Sequence, residues 1–99
     1  MDPKPSEMKI EIKVDESEAA GRFANMANIS HSPEEFILDF LFVNPTPPPG
    51  FGKLVSRIIL TPQHAKRIQL ALGDTIRRYE ETFGEIKTSG INPGVESIQ

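Results

Sequence analysis

Along residues 9–15, KIEIKVD, apolar and polar positions alternate without a break. Ile10, Ile12 and Val14 fall on one side; Lys9, Glu11, Lys13 and Asp15 fall on the other. A period of two is the mark of a half-buried strand. ESEAAG ends the alternation, with Gly21 as the pivot. In RFANMANIS, 22–30, Phe23, Asn25, Ala27 and Ile29 share one face, and Arg22, Ala24, Met26 and Asn28 share the other. Alanine and asparagine are poor strand formers, so a helix competes here. A strand is preferred, because a turn and another strand follow at once. Ser32 and Pro33 suit a type I turn, with proline fixing φ at its second position.

EFILDFLFV, 35–43, is apolar on both faces: Phe36, Leu38, Phe40 and Phe42 on one, Ile37, Asp39, Leu41 and Val43 on the other. Such a strand is expected to be covered on both sides. NPTPPPGFG, 44–52, cannot pair as a central strand, since proline lacks the donor, and reads as a stiff, extended connection. KLVSRIILT, 53–61, is the next strand. Leu54, Ser56, Ile58 and Leu60 share one face; Val55, Arg57, Ile59 and Thr61 share the other.

The period then changes. Thr61 is a good N-cap and Pro62 suits the first helical position. Ala65, Ile68, Leu72, Ile76, Tyr79 and Phe83 recur at spacings of three and four, and Gly84 stands where a helix would stop. The spacing predicts a helix over 62–83, about 33 Å long at 1.5 Å per residue. The whole order predicts an α+β fold: an antiparallel sheet of about four strands in meander, then one long C-terminal helix on the sheet. A single domain over 9–86 is expected, with loose ends at 1–8 and 87–99. One helix covers one face, so the other face of 35–43 calls for a second copy of the chain.

Composition narrows the classes. Ninety-nine residues make a modest core, and with no cysteine there is no disulfide or thiolate metal site to support it. The absence of cysteine fits a reducing cytoplasm. No signal peptide or membrane span is expected. A net charge of −3 with mixed signs argues against a general polyanion binder.

Candidate chemistry is sparse. Ser30, His31 and Ser32 resemble acyl-transfer parts, but neighbours on a strand point to opposite faces and no nucleophile elbow is present. His31, His64, Glu34 and Glu35 lack metal-ligand spacing, and His64, in the first helical turn beside unpaired backbone N–H groups, reads as a polar capping residue. Lys66, Arg67, Arg77 and Arg78 share their helix with Asp74, Glu80 and Glu81, which reads as a solvated face. NPTPPPG could suit a proline-reading module, but a hairpin connection is preferred. No catalytic residue, cofactor or metal is assigned.

Asp39 and Arg57 stand out, because each interrupts an apolar strand and each needs a partner if buried. A hairpin centred on residue 48 places 39 opposite 57. A structural or subunit-contact ion pair is expected there. Ile37, Asp39, Leu41, Val43 and Arg57 form the candidate interface; Leu70, off the main helical stripe, is the candidate for a second contact.

NISHSPEEFILDFLFV, VSRIILTPQHAKRIQLAL and YEETFGEI together resemble a family of short prokaryotic proteins, domain of unknown function 3467, over roughly residues 19–86. The family name implies no activity, cofactor or site residue. In element order alone the chain is also similar to the export chaperone SecB. The expected function is a cytoplasmic, non-catalytic module that forms a homodimer or higher homo-oligomer. It would bind an unidentified protein partner through a sheet face or edge. The alternative is a nucleic-acid-associated regulator using the surface of helix 62–83, and an enzyme ranks third.

Overall fold

The computed structural model describes residues 9–88. It has a short helix α1 (Glu16–Ala19), strands β1 (Met26–His31), β2 (Phe36–Asn44) and β3 (Phe51–Leu60), and the long helix α2 (Pro62–Phe83). The strands form one antiparallel meander in the order β1-β2-β3. The α+β class and the C-terminal helix agree with the sequence pattern. The sheet has three strands rather than about four. The fourth, expected over 9–15, joins no strand among the described residues. Its apolar side chains stand in solvent, with Ile10 78 %, Ile12 80 % and Val14 62 % exposed. Alternation makes this segment suited to a strand, yet a strand also needs an edge to pair with.

Within residues 22–30 the strand is realised from Met26 onward, as β1, and not over 22–25. Its ladder opens before β1 proper: the Asn25 side chain donates to the Val43 carbonyl and accepts from the Val43 N–H, both at 2.9 Å. Asn25 therefore supplies with its amide what a backbone peptide would supply, which offsets its weak strand propensity. The β1–β2 connection closes through the Ser32 N–H on the Glu35 carbonyl at 2.9 Å. The Ser32 hydroxyl accepts from the Glu34 N–H at 3.3 Å.

Residues 46–49 make a turn rather than an extended rod. Asn44 Oδ1 accepts from the Thr46 N–H at 3.1 Å, and the Thr46–Pro47 and Pro48–Pro49 peptides are cis. The chain doubles back so closely that a Cβ on Gly50 would lie 2.6 Å from Pro45 Cα and 2.7 Å from the Asn44 carbonyl oxygen.

The ends of α2 match the sequence. Thr61 Oγ1 accepts from the His64 N–H at 3.2 Å. Gly84, at φ 95°, donates its N–H to the Glu80 carbonyl. The helix does not lie down on the sheet, however, and none of its residues is buried. Its stripe overhangs: Leu72, Tyr79 and Phe83 are at least half exposed. A 22-residue helix of about 33 Å outreaches a sheet of three strands spaced about 4.8 Å apart.

Among the described residues, Leu41 is the one buried apolar side chain. Counting faces leaves it in water without a second copy. Instead it is enclosed within the single chain, at 1 % exposure, with Met26 and Leu54 opposite it on the flanking strands. The loose ends expected at 1–8 and 87–99 lie outside the described residues, apart from Lys87 and Thr88.

Two glycines separate backbone need from tolerance. Gly50→Ala should lower the melting temperature, because the methyl group meets main-chain atoms that cannot yield. A methyl group on Gly73, inside α2, would meet nothing within 4 Å, so Gly73→Ala should stabilise by about 0.5–1 kcal/mol. Thermal melts of the two variants check both signs.

Candidate functional site

The centre of β2 holds the charged residue that the strand pattern singles out. Asp39 pairs with Asn28 on β1 and with Arg57 on β3. The expected 39-to-57 register is the observed one. It holds from Phe36↔Leu60 to Phe40↔Ser56, and a bulge at Val55 then shifts it by one residue, so that Leu41 faces Leu54. A bulge adds one residue to one strand and increases local twist.

Arg57 grips the carboxylate with two parallel bonds, Nε to Oδ1 at 2.7 Å and an NH2 hydrogen bond to Oδ2 at 3.0 Å. This two-pronged geometry is the strong form of a carboxylate–guanidinium pair. Asp39 is 2 % exposed, whereas the Arg57 side chain is 43 % exposed. One end of the pair is therefore fixed inside the sheet and the other reaches the surface. The hydrogen bonds from Arg57 hold the Asp39 carboxyl below its ordinary 3.8; burial opposes them and the guanidinium charge assists. The same bonds raise the Arg57 guanidinium.

The other candidate interface residues do not form one open patch. Ile37 and Val43 are half-buried and Leu41 is enclosed. Leu70 is 63 % exposed on α2, away from the sheet candidates in sequence and structure. The larger apolar surface lies on the opposite face. There the first turns of α2 stand off the sheet and leave an open groove of about 510 Å3, lined by Ile29, Leu38, Leu60, Ala65, Ile68 and Leu72 among others. Sequence reasoning places Leu38, Leu60 and the helical stripe on apolar faces but takes that space as filled. A second hollow, of about 490 Å3, lies near the bulge between Arg22, Phe23, Phe42, Lys53 and Val55. Phe23 meets Phe42 edge-on there, with ring centres 6.1 Å apart.

Ser30 and His31 occupy successive positions on β1, opposite Ile37 and Phe36, so they project to opposite faces. His31 stacks on Phe36 at 5.5 Å. No group of three metal-ligating side chains occurs among the described residues, and no described helix is long and apolar enough to cross a membrane. On α2, Arg77 bonds to Asp74 and Glu81, and Arg78 bonds to Asp74. These are pairs along one helix, at spacings of three and four.

The pairing of Asp39 with Arg57 is testable by a double-mutant cycle. Asp39→Asn and Arg57→Gln should each lower the melting temperature, and the double variant should fall by less than their sum. Additive losses would show the two side chains to be uncoupled. The pH dependence has a definite sign. Because folding lowers the Asp39 pKa, the stabilisation is fully present above about 3.8 and is lost as pH falls through the lower folded value. Asp74 is likewise lowered, first by Arg78 and then by Arg77, and adds the same trend. Acid melts of Asp39→Asn should be flatter below pH 4 than those of the parent chain.

No curated protein and no solved structure matches the chain. The family model described as Protein of unknown function (DUF3467) matches residues 1–88. The chain belongs to that family.

Proposed function

We propose that the protein is a non-catalytic assembly module that self-associates and holds a protein partner against its sheet. One observation carries this reading: the imbalance between interior and surface. Among the described residues one apolar side chain is buried, while Ile29, Ile59, Leu72, Tyr79 and Phe83 are among the large ones left in water. Burial of such a side chain contributes about 1.5–3 kcal/mol, and a domain has only about 5–15 kcal/mol of net stability. Association recovers what a single chain forgoes. The groove under α2 and the sheet edges offer room for an extended apolar segment of a partner. The order of strands before a long helix, similar to that of SecB, is compatible with a chaperone-like use of the groove.

The alternative, a nucleic-acid regulator, draws less support. Of the four helix cations that would meet phosphates, Lys66, Arg67, Arg77 and Arg78, the last two are engaged by Asp74 and Glu81. A catalytic reading would need a nucleophile and base together, and Ser30 and His31 diverge.

Sedimentation at micromolar concentration should report at least a dimer, and the melting temperature should rise with protein concentration. Leu72→Glu is the better probe of assembly than Leu41→Glu, because Leu72 is 55 % exposed in one chain while Leu41 supports that chain's own fold. Leu72→Glu should reduce the mass and the melting temperature together. A monomeric parent chain with a concentration-independent melt would refute the proposal.

A further inference from the structure

We infer that residues 9–15 are an exchanged strand: each copy lays this segment along the β3 edge of a second copy, adding a fourth strand to its sheet. The inference rests on the self-association proposed above and names its contact.

Four observations lead to it. The segment alternates like a strand yet is unpaired in one chain, with Ile12 80 % exposed. β3 is an edge strand of ten residues, Phe51–Leu60, and it is the longest strand of the sheet. Seven residues span about 23 Å, which fits along it with length to spare; β1, the other edge, has only six residues. Exposed edges of this kind are templates for another strand.

The connection also arrives on the correct side. From β1 the chain runs back to Arg22, whose NH1 donates to the Val55 carbonyl on β3 at 3.3 Å. Arg22 also pairs with Glu18 at 3.0 Å. Between them Gly21 takes φ 80°, and α1 begins at Glu16. This anchored corner stands at the chain's own β3, yet residues 9–15, which precede it, join no strand there. A second copy supplies the same edge.

The faces match in chemistry as well. When Ile10, Ile12 and Val14 join the face that carries Ile58 and Leu60, the alternation puts Lys9, Glu11, Lys13 and Asp15 on the other face. That is the face of Arg57, whose guanidinium is the exposed end of the central ion pair. One parity thus brings apolar to apolar and sets the charged side chains, Glu11 and Asp15 among them, on the side of Arg57. The opposite parity would set all four charged side chains, Lys9, Glu11, Lys13 and Asp15, on the side of Ile58 and Leu60. Exchange is reciprocal, so a two-fold pair satisfies both edges and closes.

The test uses the full chain. In a 1:1 mixture of isotope-labelled and unlabelled protein, filtered nuclear Overhauser spectra should show contacts between residues 9–15 of one copy and 53–60 of the other. Ile12→Pro removes a strand donor at a position that stands in solvent within one chain. It should weaken assembly at least about tenfold in sedimentation and abolish slow hydrogen exchange in residues 9–15, whereas Ile12→Val should keep both. Contacts confined to one copy would show that the segment folds onto its own β3 and would overturn the exchange. An oligomer with no 9–15 to β3 contact, insensitive to Ile12→Pro, would overturn it while leaving self-association intact. A monomer would remove both.

Discussion

A carboxylate in the middle of the central strand has to be matched before the sheet can close around it. Asp39 sits at that position, and a buried carboxylate without a partner is costly in a way that a buried leucine is not. The match comes from directly across the hairpin, where Arg57 presents a planar fork. This requirement acts on register. A slip of one residue between β2 and β3 would send Arg57 to the other face and leave Asp39 with an isoleucine or a serine opposite. Apolar residues on both faces of β2 specify register weakly, because either face tolerates burial. The charged pair supplies the discrimination that apolar alternation lacks here. The bulge at Val55 follows just beyond the pair, where Leu41 meets Leu54 and a residue is gained without disturbing the Asp39 position.

The second constraint is the shortage of interior. Three strands make a narrow platform, and α2 leaves it after a few turns. Leu41 is enclosed within the single chain, with Met26 and Leu54 opposite it on the flanking strands. The remaining apolar side chains sit half-covered or in water. In a chain of 99 residues without cysteine, no cross-link offsets this shortage. Local devices hold the sheet instead: the Asn25 amide on Val43, the Ser32 turn, the close return at Gly50 and the Thr61 cap. Each fixes backbone geometry, and none buries much apolar area. The fold is therefore well defined in its hydrogen bonding and under-supplied in its hydrophobic contacts.

Much of this is legible in the sequence. The helix over 62–83 can be read to the residue, because its cap, proline, periodic stripe and stop glycine all agree. The Asp39–Arg57 register follows from hairpin symmetry about residue 48. What escapes depends on tertiary partners. Alternation in KIEIKVD specifies a strand but not the edge that receives it. The role of Asn25 has no local signal, since a side chain imitating a peptide leaves no periodic trace. The helical stripe announces a covered face, but only the observed projection of α2 shows how little of it the sheet reaches. Leu41 looks like surface by counting faces, because such a count assigns cover only to whole layers, whereas the single chain already encloses this side chain.

Under the proposed function, these features give the sheet one physical role. Its central strand is settled internally by the ion pair, so it needs nothing from outside to hold register. Its edges and its groove are unsettled: β1 and β3 each have a neighbouring strand on one side alone among the described residues, and the groove is lined by apolar side chains. A scaffold that is rigid at the centre and open at the margins is suited to adding strands and holding extended chain without remodelling itself. Arg57 links the two zones. Its Nε and one amino group are committed inward to Asp39, while nearly half of the side chain stays accessible at β3. An acidic residue arriving along that edge would meet a cation already oriented by the fold, so less ordering entropy would be lost on contact.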